Sequence, residues 1–166
     1  DAYFNTGDLV RNIGFRHAQF VDRLGDTFRW KGENVSTTEV ENMLTEYDKI
    51  VEAVVYGVEI PNTNGRAGMA AITLKPDVEL NDADLAAMAA CFKKCLPAYA
   101  VPVFLRIQQQ VETTGTFKYQ KNKLKEQAFD PSKTDERLLV LLPGATAYSE
   151  LTAEVFSNIQ AYQYRF

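Results

Sequence analysis

The sequence of 166 residues has few cysteines, one histidine and no long apolar run, and each shortage excludes a class of protein. Cys91 and Cys95 are too few for a disulfide framework or a four-ligand zinc site. Their spacing within a predicted helix indicates ordinary packing in a reducing, cytoplasmic setting. His17 has no neighbours in the sequence that would make it a metal ligand or a general base, so we predict no metal site.

Apolar runs are also short. None approaches the roughly 18 residues that a membrane helix needs, and the first residues do not resemble a signal peptide. Acidic residues outnumber basic ones by 22 to 18, which gives a formal net charge of -4. That balance disfavours non-specific binding to nucleic acid or anionic lipid. We therefore expect no nucleic-acid partner, and we expect membrane contact, where it occurs, to be peripheral at the inner face.

The apolar pattern mixes strand and helix periodicities without regular alternation. The first predicted elements are two short strands within 1–24 around a turn at 11–14, a strand at 27–30, a tight turn at 31–34, a helix capped by Ser36 and Glu39, and strands at 50–60 and 69–74. Asn81 is predicted to cap a second helix that runs to about 96, with an inward face of Leu85, Met88, Ala89 and Phe92. A strand at 103–108, a basic helix at 118–127, a strand at 138–142 and a helix from about Thr152 follow. This order predicts an α+β fold with a short, mainly antiparallel sheet flanked by helices.

Three segments carry residues suited to chemistry. In the first, 3–8, Asp8 follows a Thr-Gly turn at a strand end, where its carboxylate can accept hydrogen bonds from two adjacent hydroxyls, as on a ribose. The same residues also make an ordinary turn. In the second, 22–34, Arg23 can donate to ribose or phosphate oxygens from a fixed fork. Gly25 and Gly32 allow sharp backbone changes and close approach to a ligand, although a plain hairpin also explains them.

The third segment, 113–118, places Lys118 directly after a Thr- and Gly-containing loop. Phosphoryl chemistry needs a cation where charge develops on the transferring oxygens, and a flexible loop lets a lysine reach into a neighbouring site. Lys123 and Lys125 are more simply explained as a solvated helix face.

Taken in order, the three segments resemble the adenylate-forming superfamily of acyl-CoA synthetases, peptide-synthetase adenylation domains and luciferases. Residues 5–8 match its ribose motif, 22–41 its hinge and pantetheine-loop motif, and 114–118 its catalytic-lysine motif. The sequence of residues 25–40 is similar to that of the fatty acid transport protein branch, the long- and very-long-chain acyl-CoA synthetases. The resemblance extends through 56–58, 65–70 and 129–131, and so over essentially the whole chain.

The resemblance implies a two-step reaction. A carboxylate is first joined to ATP to give an acyl-adenylate and pyrophosphate, and the acyl group then passes to the thiol of CoA. Asp8 and Arg23 would hold the ribose, and Lys118 would stabilise the transition state of adenylation. Gly25 would be the hinge about which the small domain rotates. The loop Lys31, Gly32 and Glu33 would then meet the pantetheine arm of CoA.

Two positions depart from the superfamily pattern. The hinge residue, commonly aspartate or lysine, is Gly25, and the glycine usually found before the catalytic lysine is Phe117. Both departures are typical of the fatty acid transport branch. The second makes Lys121 the alternative catalytic lysine.

The resemblance also predicts three units: terminal strands of an adenylating N-terminal domain at 1–24, a C-terminal lid at 25–130 and an extension packed on the lid at 131–166. The phosphate loop, adenine pocket, magnesium carboxylate and acyl tunnel belong to that missing N-terminal domain. We therefore expect fatty acid, ATP, Mg²⁺ and CoA to act in the full-length enzyme, and expect this chain alone to be inactive and bind none of them. An enzyme that loads a carrier protein, and a non-catalytic lipid-uptake or interaction module, are the alternatives.

Overall fold

The computed structural model describes residues 8–15, 17–23, 27–108 and 117–166, and within them the side chains of 12–15, 17, 27–108 and 120–166. The elements in chain order are β1 (Asp8–Gly14), β2 (His17–Arg23), β3 (Thr27–Trp30), β4 (Glu33–Ser36), α1 (Thr37–Thr45), β5 (Ile50–Val58), β6 (Ala67–Leu74), α2 (Asp82–Cys95), β7 (Phe104–Gln108), α3 (Phe117–Gln127), β8 (Arg137–Val140), β9 (Ser149–Glu150) and α4 (Ala153–Gln160).

The first two strands form an antiparallel hairpin, as predicted, but the turn lies later than the sequence suggested. Residues 11–14 belong to β1, and the chain reverses between Gly14 and His17, which are register partners. Gly14 adopts φ +90°, a region that favours glycine, and its N–H donates to Asn12 Oδ1 at 2.9 Å. The predicted turn at 11–14 is therefore wrong. These residues form the last part of β1, and the chain reverses only after Gly14.

A second hairpin joins β3 and β4 through a two-residue loop. Trp30 pairs with Glu33, which leaves Lys31 (φ 51°) and Gly32 (φ 82°) as the loop. Two consecutive positive φ angles are typical of the type I′ turn that matches the twist of a hairpin. The tight turn predicted at 31–34 is thus present but shorter, since Glu33 and Asn34 already pair within β4.

The caps predicted for α1 and α2 are confirmed at Ser36 and Asn81. Ser36 caps α1, its hydroxyl accepting from the Glu39 N–H at 3.4 Å, and Asn81 caps α2 in a complete capping box with Asp84. The last helix begins where it was predicted, and Thr152 caps it by accepting from the Val155 N–H at 3.2 Å. The inward face of α2 is the predicted one, consisting of Leu85, Met88, Ala89 and Phe92. Within the described ranges, no helix is both long enough and apolar enough to cross a bilayer.

The main sheet has five strands in the order β5-β6-β7-β8-β9. Three of its pairs are antiparallel, while β6 and β7 run parallel and are joined through α2. This confirms the predicted α+β fold with a mainly antiparallel sheet. The interior strand β6 is buried from Ala67 to Thr73, as expected of a near-continuous apolar run covered on both faces. The short edge strand β9 was not predicted, because two residues carry no periodicity.

Residues beyond 130 contribute to the same sheet. Strand β8 pairs with β7, and the buried Tyr148 hydroxyl donates to the Pro102 carbonyl at 2.6 Å. The ring of Phe104 stacks on Phe129 at 4.2 Å between centroids and lies 6.1 Å from Phe166. These contacts tie the end of the chain to the sheet, and the division into three units stays a prediction.

The two cysteines differ in their surroundings. Cys91 is half-buried and packs against the core, whereas Cys95 is exposed. The predicted packing role therefore fits Cys91 and is wrong for Cys95, which is the last residue of α2 and is exposed.

Candidate functional site

The predicted ribose-binding residues lie on the first hairpin. Asp8 begins β1, Arg23 ends β2, and the two are register partners, so their backbones lie directly opposite each other. The side chains of both residues, and Gly25 altogether, fall outside the described residues. Their predicted roles stay predictions.

The predicted catalytic lysine lies in the first turn of α3. Lys118 is the second residue of that helix, and its side chain lies outside the described residues, as does the loop 113–116. The alternative, Lys121, is described, and only 6% of its side chain is exposed. A lysine this deeply buried in its own domain is poorly placed to reach a substrate held by another.

Helix α3 is fixed to the sheet by a residue that the sequence analysis missed. Arg106 lies on β7 and is 5% exposed. Its Nε donates to Glu136, and its Nη1 donates to Gln127 Oε1 at 2.6 Å. Gln127 is the last residue of α3, and its amide in turn donates to the Lys133 carbonyl at 3.0 Å. The signal in the sequence was a charged residue within an otherwise apolar strand, which requires a buried partner.

The predicted pantetheine loop is the exposed end of the second hairpin. Lys31, Gly32 and Glu33 are exposed, whereas the Trp30 ring beside them is only 3% exposed. Lys31 Nζ lies 5.9 Å from the centroid of that ring, within the range of a cation–π contact. The loop is thus exposed to solvent, while the adjoining Trp30 anchors it in the core.

A cleft of about 500 Å³ lies beside this loop. Three cationic side chains line it, namely Lys31, Lys93 and Arg165, and no acidic side chain lines it within the described part of the chain. Lys93 donates to the Ala145 carbonyl at 2.6 Å. The remaining lining residues are apolar or small: Trp30, Ala98, Val101, Val103, Leu141, Leu142, Pro143, Gly144, Ala145 and Phe166. A cleft that combines cationic and apolar side chains suits an organic ligand that carries phosphate groups.

Of the three cations, only Lys31 was predicted as a binding residue, as part of the pantetheine loop. Lys93 comes from the last turn of α2 and Arg165 from the chain end, and no spacing in the sequence connects either with the hairpin. They are candidate binding residues that only the fold reveals.

A second cleft of about 650 Å³ lies between the β5–β6 loop, the end of α3 and α4. Its charges neutralise one another, since Arg66 lies 3.5 Å from Glu59 and Lys133 lies 4.0 Å from Asp130. The second cleft therefore favours neither a cationic nor an anionic ligand. Among the described side chains, no three of His, Cys, Asp or Glu gather where they could hold a metal ion.

Comparison with known proteins identifies the family. A family model described as AMP-binding enzyme C-terminal domain matches residues 39–118. The chain is 49% identical over 161 residues to long-chain fatty acid transport protein 6 of Mus musculus, covering 97% of this chain and 26% of the relative. It is 47% identical over 154 residues to the medium/long-chain-fatty-acid–CoA ligase FadD6 of Mycobacterium tuberculosis, covering 93% and 25%.

Solved structures agree with these sequence relatives. The anthranilate CoA ligase AuaEII in complex with anthranoyl-AMP gives a TM-score of 0.63 at 25% identity, covering 74% of this chain and 24% of that one. The chain spans about a quarter of the length of the relatives that it matches. The predicted resemblance is confirmed: the chain belongs to the adenylate-forming superfamily, and its residues 39–118 form an AMP-binding enzyme C-terminal domain.

Proposed function

We propose that this chain is the mobile C-terminal part of a long- or very-long-chain fatty acid–CoA ligase that forms AMP. The exposed Lys31–Gly32 hairpin, which opens onto a cleft lined by three cations, carries the proposal. A fatty acid–CoA ligase among the relatives supports it, at 47% identity over nearly the whole chain.

In the first half-reaction the fatty carboxylate attacks the α-phosphate of ATP, and pyrophosphate leaves. Lys118 acts here by placing its ammonium where negative charge develops on the transferring oxygens. The burial of Lys121 favours Lys118 for this role. Asp8 and Arg23 hold the ribose hydroxyls from the facing ends of β1 and β2.

In the second half-reaction the small domain rotates about Gly25, withdraws Lys118 and presents the second hairpin. The pantetheine arm of CoA passes Lys31, Gly32 and Glu33, where the absence of a side chain at Gly32 leaves room for a close approach. The phosphates of CoA are then within reach of the cationic cleft, which includes Lys93 and Arg165.

This mechanism needs a second domain. Fatty acid, ATP and Mg²⁺ are bound chiefly by an adenylating domain, so the chain by itself is expected to have no ligase activity. The carboxylate that holds Mg²⁺ is expected in that domain as well. Peripheral contact with the inner face of a membrane stays a prediction.

The test uses the complete protein with fatty acids of graded chain length. ATP–pyrophosphate exchange measures adenylation, and acyl-CoA formation measures the whole reaction. Lys118→Ala should lower exchange by on the order of 10²–10³-fold, the usual cost of removing a preorganised charge-stabilising group. Lys123→Ala is the matched control, because Lys123 is an exposed lysine on the same helix, and it should leave exchange near the wild-type rate.

Normal exchange in Lys118→Ala would refute the assignment of the lysine. Wild-type exchange without acyl-CoA, together with acyl transfer to a phosphopantetheinylated carrier protein, would replace CoA by a carrier as the acceptor. No adenylation at any chain length would refute the ligase function and favour a non-catalytic role in lipid uptake.

A further inference from the structure

The second hairpin, β3–β4, is seated on the main sheet at a pair of glycines. Gly57 of β5 and Gly68 of β6 are register partners, and the buried ring of Phe28 lies against both. A methyl group on Gly57 would lie 2.8 Å from Phe28 Cβ, and one on Gly68 would lie 3.2 Å from Phe28 Cζ. The two glycines therefore leave the space that the aromatic ring fills.

A third glycine holds the hairpin next to its loop. Gly65 adopts φ +84° and forms an antiparallel bridge with Trp30. The following N–H, that of Arg66, donates to the Arg29 carbonyl at 2.7 Å. A methyl group on Gly65 would lie 2.2 Å from that same carbonyl oxygen, more than an ångström short of ordinary contact. Arg29 and Trp30 directly precede the loop residue Lys31.

We propose that Gly57, Gly65 and Gly68, together the glycine socket, are positioning residues for the transfer of the acyl group to CoA. They fix the hairpin so that Lys31 and Gly32 meet the pantetheine arm in one geometry. This inference rests on the proposed function and deepens it, because it assigns to the socket one half-reaction and not the other.

The socket should affect acyl transfer and not adenylation, because the β3–β4 hairpin and helix α3 are held by different contacts. The socket holds the β3–β4 hairpin, whereas Lys118 lies on α3, whose last residue is bonded to Arg106 of β7. A shift of the hairpin alone therefore leaves the bond between α3 and Arg106 in place. A misplacement of about 1 Å in a positioning element costs on the order of 10²-fold in rate.

The experiment compares the two half-reactions in the complete protein. ATP–pyrophosphate exchange reports adenylation, and single-turnover transfer from preformed acyl-adenylate to CoA reports the second step. Gly65→Ala should lower transfer by on the order of 10²-fold and leave exchange near wild type. Gly14→Ala is the matched control, because Gly14 also has a positive φ of +90° but no described atom lies within 4 Å of an added methyl group. It should leave both steps unchanged.

A second pair of variants tests the socket by rescue. Gly68→Ala should slow transfer because the added methyl group pushes on the Phe28 ring at 3.2 Å. Phe28→Leu removes the ring atoms that it meets, so the double variant should transfer faster than Gly68→Ala alone. A general loss of stability in the domain would lower exchange together with transfer, so exchange is measured in both variants and should stay near wild type. If Gly65→Ala does not fold, this pair decides the question.

The outcomes separate the two proposals. Equal losses in exchange and transfer, or no loss in either, would overturn the positioning role while leaving the ligase function standing. Failure of Phe28→Leu to improve Gly68→Ala would overturn it as well. A wild-type protein that performs neither step would overturn the proposed function, and the socket's role with it.

Discussion

Replacing Arg106 by methionine should destabilise the chain more than any comparable change at a surface arginine. The guanidinium is 5% exposed and donates to Glu136 and to Gln127 Oε1, the latter at 2.6 Å. Methionine keeps an unbranched apolar side chain at the same place in β7 but removes every donor. Glu136 and the end of α3 then lose the group that ties them to the sheet.

The magnitude follows from the surroundings of the two partners. Breaking a buried ion pair by removing one member costs about 3–5 kcal/mol, because the other charge stays buried. The Glu136 side chain is 34% exposed and can be partly rehydrated, so the ion-pair contribution falls below that range. The lost bond to Gln127 adds about 1 kcal/mol. Together we expect a loss of about 2–4 kcal/mol in the free energy of unfolding.

Urea denaturation measures this loss as a shift of the unfolding midpoint, provided that the slope of the unfolding free energy against urea concentration is unchanged. Arg137→Met is the matched control on the neighbouring strand: Arg137 donates to Glu150 and to the Leu80 carbonyl, but its ion pair is exposed and should be worth about 1 kcal/mol or less. Arg106→Lys, which keeps the charge without the planar fork, should fall between the two. A midpoint shift for Arg106→Met no larger than that for Arg137→Met would refute the reasoning.

The remaining predictions concern buried hydroxyls and the two thiols. Tyr148→Phe should lower the free energy of unfolding by about 1 kcal/mol, because it removes the bond to the Pro102 carbonyl. Tyr56→Phe should be neutral or slightly stabilising, because no described atom pairs with that buried hydroxyl; urea midpoints showing the reverse order would contradict both. Burial raises the pKa of the Tyr56 and Tyr148 hydroxyls, so stability should hold below the ordinary value of 10.0 and fall as pH rises above it, because only the unfolded chain ionises there. Urea unfolding from neutral pH to about pH 11 should show this fall, less steeply in Tyr148→Phe. Exposed Cys95 should be alkylated by iodoacetamide before Cys91, whose pKa is raised by burial and then by the neighbouring Cys95; equal labelling rates in peptide mass spectra would contradict this.

The sequence alone determined the features that depend on residues a few positions apart along the chain. The caps at Ser36 and Asn81 were predicted correctly, because a capping side chain bonds a backbone N–H only three residues away. The inward face of α2 was predicted because it repeats with the period of a helix. The fold class followed from the order of such elements.

Only the tertiary structure decided the features that join distant parts of the chain. Local pattern misplaced the first turn and missed β9, whose Ser149 and Glu150 pair with β8 across an intervening loop. The partners of Arg106 lie 21 and 30 residues away, and Gly57 opposes Gly68 only through the pairing of β5 with β6.

The candidate site shows the same division. The motif at 114–118 favours Lys118 over Lys121, and only the tertiary structure adds that Lys121 is buried. Lys93 and Arg165 meet Lys31 at one cleft because α2 and the chain end converge on the hairpin. Side-chain periodicity records which way a residue faces along its own element, whereas which elements pack together depends on long-range burial that no local pattern contains.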